Sequence, residues 1–234
     1  MPALSADAAF ANAANAAATA FASNPPYVAY QLELRTSDGT TEKDRTAHIT
    51  LRTGDGTAVV EDANGRRPLA APPGLPPTVD ALANWAFALE STDGYPIMNV
   101  TYQEPRRYDF ATPGPGTDVI VPGINGFSVR YATGEPTHLQ LEPATAAVKT
   151  LATERDRFLY RDVWFDPATS LPTRVVVVAV NATLTLDYAN ASGHWLLSHL
   201  AYEAANDVRG STGPASIEAT YSGYAFPATG TDVR

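Results

Sequence analysis

Four histidines and a scatter of carboxylates are the side chains here whose types could do chemistry. The histidines are His48, His138, His194 and His199. A shared metal ion needs ligands that converge on one side of the chain; His194 and His199 stand five apart in an extended segment, so simple alternation predicts opposite faces. The carboxylates Asp44, Glu61, Asp62, Glu104, Asp109, Asp162, Asp166 and Glu203 could in principle supply the acid and base of a hydrolase. Such a pair must converge in a cleft with its two pKa values pushed apart, whereas these residues sit beside turns or on the polar side of alternating strands, where solvated carboxylates are the expectation. Arg106 and Arg107, between Tyr102 and Tyr108, read as strand-edge charge in an acidic chain rather than as an anion site. No H-E-x-x-H, EF-hand, Walker, G-x-G-x-x-G or G-x-S-x-G pattern occurs. The reading is a protein that is not an enzyme and uses no cofactor.

Composition narrows the partners. Of 234 residues, 44% are hydrophobic and 18% charged, enough for a sizeable core, and the formal net charge is -9. The lysines are Lys43 and Lys149 alone. This balance disfavours nucleic acid and adhesion to anionic lipid, both of which reward clustered positive charge. Cysteine is absent, which removes disulfides, thiolate chemistry and Cys-based zinc sites. No apolar run of about 18 residues exists, so an integral membrane protein with a spanning helix is not expected. Because the sequence opens Met-Pro-Ala-Leu-Ser directly before a helix, without a basic and apolar leader, the expectation is that an export signal or anchor precedes it in the native protein.

The elements that would position these residues are mostly strands. Residues 5–23 are alanine-dense, with Ser5 as N-cap and Pro25-Pro26 as the stop, and Phe10, Ala14, Ala17 and Phe21 form a narrow stripe suited to lying flat on a sheet. Val28, Tyr30, Leu32 and Leu34 alternate with polar neighbours, Ser37-Asp38-Gly39-Thr40 turns the chain, and Arg45, Ala47, Ile49 and Leu51 return it. Further turns at Gly54-Asp55-Gly56 and Asn64-Gly65 bracket the strand 58–62. Residues 68–79 are a proline-rich connection. A second helix is predicted over 78–90, with Leu82, Trp85, Ala86 and Leu89 on one face at i, i+3, i+4 and i+7, lying over the concave side of the sheet as a lid. Short strands and dense Gly/Pro punctuation follow, including 127–131, 138–141 and loops through 113–136. No linker divides the chain, so residues 1–234 are read as one domain.

One hairpin carries a resemblance. Trp164-Phe165-Asp166-Pro167-Ala168-Thr169-Ser170-Leu171-Pro172-Thr173-Arg174 leads into the β-branched run Val175 to Val178, then Leu184-Thr-Leu-Asp-Tyr188, then Trp195. Asp166 caps the turn, Pro167 presets φ, and Pro172 marks re-entry into the strand. This series resembles the outer-membrane lipoprotein carrier superfamily, LolA-like with its LolB and RseB relatives; the match is detailed over about the C-terminal third.

What the resemblance implies is an α+β, mainly β fold: a single curved antiparallel sheet forming an incomplete (half) barrel, covered by the N-terminal helix and the lid helix. It further implies a non-enzymatic protein that binds or transports a lipid or lipoprotein acyl chain, in the periplasm or exported to the cell envelope of a bacterium. The candidate wall for that ligand is Val28, Tyr30, Leu32, Leu34, Ile49, Leu51, Phe127, Val129, Tyr131, Leu184 and Leu186, with Leu82, Trp85 and Leu89 from the lid. In that family a strand arginine bonds to the lid, and Arg35 and Arg45 are the comparable positions. The proline-rich insertion and the 113–136 region depart from the carrier proper, which points to a divergent relative. Two alternatives remain: a sensor or interaction module of the same fold, with a filled cavity and an envelope protein partner, and a hydrolase acting on a polymer.

Overall fold

The computed structural model describes residues 4–53, 57–69, 127–143, 159–179, 182–204 and 216–228. Among these residues there is one helix, α1 (Ala6–Ala22), and eleven strands: β1 (Tyr27–Ser37), β2 (Glu42–Arg52), β3 (Ala58–Asp62), β4 (Gly65–Leu69), β5 (Phe127–Ala132), β6 (Glu135–Pro143), β7 (Leu159–Phe165), β8 (Pro172–Ala179), β9 (Ala182–Ala191), β10 (His194–Ala204) and β11 (Ser216–Ala225). The lid helix predicted over 78–90, with Leu82, Trp85 and Leu89, lies outside the described residues, as do most of the proline-rich connection, the Gly54-Asp55-Gly56 turn and residues 113–126 of the loop region.

All eleven strands form one antiparallel sheet in the order β4-β3-β2-β1-β11-β10-β9-β8-β7-β6-β5. Neighbours in sequence are neighbours in space except at one seam, where β1 pairs with β11 and joins two meanders. β4 and β5 end the sheet without meeting, so the barrel is open.

Period-two alternation then decides the faces. Register places Leu32 beside Tyr221, Ala219 beside Leu200, Leu200 beside Leu186, Leu186 beside Val175, Val175 beside Val163 and Val163 beside Leu139, so one apolar row crosses the sheet from β1 to β6. All of these residues are buried. This inner face is the one on which α1 lies, packing against β5, β8 and β10.

The helix starts where Ser5 predicts: the Ala8 amide donates to Ser5 Oγ at 3.2 Å. Its buried stripe differs from the expected Phe10, Ala14, Ala17 and Phe21. The ridge pressed into the sheet is Ala9, Ala13 and Ala17 with Phe10 beside it; Ala14 is only half-buried, and the side chain of Phe21 lies outside the described residues. An i, i+4, i+8 row of methyl groups lets the helix axis approach the strands closely, and Phe10 fills the remaining margin.

Two local features refine the sequence reading. The turn expected at Gly134 is tight: Thr133-Gly134 is a two-residue turn between β5 and β6, with Gly134 at φ 80° and Glu135 already paired to Ala132, so β6 starts before the expected 138. A left-handed position at a tight hairpin suits glycine and lets the strand begin one residue later. In β10, Ser198 is an extra residue: Leu197 pairs with Tyr188 and His199 with Asp187. That bulge reverses the alternation, so His194 and His199 share the outer face instead of opposing each other. Their partners on β9 are Ala191 and Asp187, four residues apart, about 13 Å of strand.

Candidate functional site

The inner face places most of the expected wall together. Val28, Tyr30, Leu32 and Leu34 on β1, Ile49 and Leu51 on β2, and Leu184 and Leu186 on β9 are all buried there. Val129 and Tyr131 on β5 are half-buried against the same cluster, and the Tyr131 hydroxyl donates to the Leu4 carbonyl at 3.3 Å, tying the sheet's last strand to the start of the helix. Phe127 opens β5, with its side chain outside the described residues. Register also separates the two arginines: Arg45 stands opposite Leu34 on the inner side, whereas Arg35 faces out and bonds Asp44 at 2.9 Å.

Within this apolar face Tyr30 meets two tyrosines that periodicity alone did not single out. The rings of Tyr221 and Tyr224 each lie 5.8 Å from that of Tyr30. Strict alternation would send Tyr221 and Tyr224 to opposite faces. Ala29 pairs with Ala225 and Gln31 with Ser222, so Gly223 and Tyr224 together oppose Tyr30. Gly223 adopts φ 64°, and the bulge turns Tyr224 inward. The signal was the glycine inside Tyr-Ser-Gly-Tyr. Tyr224 donates its hydroxyl to the Leu197 carbonyl, while the Tyr30 hydroxyl is buried with no hydrogen-bond partner among the described residues. Burial pushes both phenols well above their ordinary range, with the neighbouring Tyr224 adding to the shift at Tyr30.

The outer face answers the question of acid and base. Asp162 is not the solvated carboxylate expected: it is 7% exposed, accepting from Arg161 Nε at 2.7 Å and bonded to His138 Nε2 at 2.8 Å. His138 Nδ1 meets Glu135 at 3.1 Å, and its ring stacks on Trp164 with centroids 3.9 Å apart. Trp164 faces outward, opposite Arg174 and on the side away from Val163. Both imidazole nitrogens are thus tied to carboxylates, which leaves neither aimed at a substrate atom. The same pattern recurs at His199, whose ring nitrogens meet Asp187 at 3.2 Å and Glu218 at 3.1 Å. Among the described residues, no group of three or more His, Cys, Asp or Glu could hold a metal ion.

The hairpin motif is built as its residues predict. Asp166 Oδ1 accepts from the Ala168 amide at 2.7 Å and the Thr169 amide at 3.0 Å. The Trp195 indole donates to the Pro172 carbonyl at 2.8 Å and stacks on Tyr188 at 4.3 Å, while Arg174 bonds Asp187 at 2.5 Å and stands 6.0 Å from the Trp164 ring.

Among the described residues, the fold and this face define an open antiparallel half-barrel with an apolar interior. No protein-family model matches the chain, and no curated protein does. Solved structures similar to it include a LolA superfamily protein from Nitrosomonas europaea, at 11% identity and TM-score 0.40, covering 96% of this chain and 94% of that one. Another is a domain described as an outer membrane lipoprotein-sorting protein from Vibrio parahaemolyticus, at 16% identity and TM-score 0.42, covering 95% of each chain. A third is a DUF1329 family protein from Desulfovibrio piger, at 9% identity and TM-score 0.42, covering 97% of this chain and 95% of that one. Scores of this size carry no argument about what the chain binds.

Proposed function

We propose that this chain is a non-enzymatic holder or carrier of an acyl chain, belonging to a lipid or a lipoprotein, in the bacterial cell envelope. The observation that supports this reading is the inner face: a continuous apolar row across β1 to β6, crossed by α1, in a sheet whose edges do not close. A chain sliding along such a face gains about 0.8 kcal/mol for each methylene removed from water, so a dozen methylenes suffice for tight holding. The envelope location rests on the hairpin's resemblance; the acyl cargo rests on the apolar inner face. No helix among the described residues is long and apolar enough to cross a membrane.

A docking module of the same fold would present an apolar patch to its partner. Among the described residues, Leu4, at 55%, is the exposed large hydrophobic, so these residues present no such patch. The polymer hydrolase draws no support from the His138 and His199 clusters, whose nitrogens are already occupied.

Native mass spectrometry of the purified protein, followed by organic extraction, tests the proposal. A co-purifying acyl lipid, together with displacement of a fluorescent fatty acid that Val129→Asp weakens, supports it. A clean apo mass with no probe binding refutes it, and would mean that the interior is packed shut.

A further inference from the structure

Among the described residues, the Tyr30 hydroxyl is the polar atom of the tyrosine group without a hydrogen-bond partner. It lies on β1 beside the seam with β11, at the centre of the sheet, and it is sealed from water. Buried hydroxyls are almost always bonded, and an exception calls for a reason. The reason is not crowding by a structural acceptor: Tyr224, bulged inward beside it, spends its own hydroxyl on the Leu197 carbonyl and so fixes its ring, while the Tyr30 ring is held between Tyr221 and Tyr224 with its hydroxyl unused. A phenol is a good donor, and with no acceptor among the described residues the group that would satisfy it is one arriving with the ligand.

We propose that Tyr30 is the polar anchor of the acyl site, donating a hydrogen bond to a neutral acyl carbonyl, as in an ester or amide. This rests on the acyl-holder reading above and adds to it the polar half of the ligand. The surroundings select a neutral group over a carboxylate. On the inner face among the described residues, the nearest cation along β1 and β2 is Arg45, opposite Leu34 and thus four residues from Tyr30, about 13 Å along the strand. An anion brought to Tyr30 would be desolvated without a countercharge; the burial that disfavours the phenolates of Tyr30 and Tyr224 would disfavour it in the same way. An ester carbonyl accepts the bond with no charge to bury, and its hydrocarbon tail follows the apolar row.

The test uses the whole chain and an uncharged probe, N-phenyl-1-naphthylamine, displaced in turn by hexadecane, methyl palmitate and palmitate. Methyl palmitate is expected to compete about tenfold better than hexadecane, which corresponds to about 1.4 kcal/mol, and better than palmitate. Tyr30→Phe should erase the ester's advantage over hexadecane, with the melting temperature no lower. Tyr224→Phe, which removes a bonded hydroxyl, should lower the melting temperature and retain the ester's advantage. Equal competition by ester and alkane in the wild type, palmitate competing as well as the ester, or an undiminished ester preference in Tyr30→Phe each overturns the anchor and leaves the acyl holder standing. A chain that binds none of the probe overturns the acyl holder, and the anchor with it.

Discussion

Replacing His138 by phenylalanine isolates the worth of one buried contact. Phenylalanine retains a flat ring that can stack on Trp164, so the change removes two nitrogens and little volume. The contact to Glu135 contributes close to nothing, because the Glu135 side chain is 57% exposed and can return to water. The contact to Asp162 is different. The Asp162 side chain is 10% exposed, and after the substitution Arg161 Nε is its remaining hydrogen-bond partner among the described residues, from a guanidinium that is itself 52% exposed. A hydrogen bond to a buried charged group is worth about 1.5–3 kcal/mol, and the surviving arginine keeps the loss toward the lower half, so about 2 kcal/mol is expected. For a chain of this size that lowers the melting temperature by about 4–8 °C. Urea unfolding followed by circular dichroism measures it, with the slope against denaturant unchanged. Adding Asp162→Leu to His138→Phe should recover more than 1 kcal/mol relative to the sum of the single changes, since an apolar side chain leaves no charge to satisfy. A loss below about 0.5 kcal/mol, or strict additivity, would refute the account of Asp162 as a buried carboxylate held by His138.

Three further outcomes follow from particular contacts. Asp62 accepts from Arg67 at 2.7 and 2.9 Å, which holds its pKa near about 2 against the ordinary 3.8. A depressed carboxylate stabilises the fold above its unfolded pKa and loses that contribution as pH falls toward the folded value, so wild type should lose stability between about pH 4 and pH 2 that Asp62→Asn does not; equal acid profiles would contradict this. Trp195→Phe leaves the Pro172 carbonyl without its indole donor and should cost about 1–3 kcal/mol in urea unfolding, with a value near zero excluding that bond as a tie between β8 and β10. Ala13→Leu forces a branched side chain under a helix whose Ala13 and Ala17 are fully buried, and should cost about 1–3 kcal/mol; an unchanged midpoint would show that the helix rides higher than described.

Where alternation was regular, the fold was legible residue by residue. β1 and β2 needed only period two and a turn built on Asp38, whose carboxylate accepts from the Thr40 and Thr41 amides as its place in Ser-Asp-Gly-Thr implies. The misreadings fall at irregularities of one residue. Ser198 inserted into β10 puts His199 on the face of His194, and Gly223 in β11 puts Tyr224 beside Tyr221. A single extra residue inverts every later position, and only cross-strand register reveals it. Asp162 escaped for another reason: its neighbours in sequence are Arg161 and Val163, while His138, 24 residues away, reaches it through the β6–β7 pairing.

The residues that carry the family resemblance explain why it speaks to scaffold and not to cargo. On the outer face Trp164, Arg174 and Asp187 join β7, β8 and β9; at the other side Trp195 reaches from β10 to the Pro172 carbonyl and stacks on Tyr188 of β9. Asp166 closes the turn between the two. Four adjacent strands are therefore pinned from both faces by one short motif, and any protein needing that hairpin in that register would keep it whatever it holds. The tyrosines that would meet a ligand lie on β1 and β11, across a seam that the motif does not touch. Changes in the hairpin should thus lower stability with ligand preference intact, whereas a folded chain that has lost its preference should be found at Tyr30.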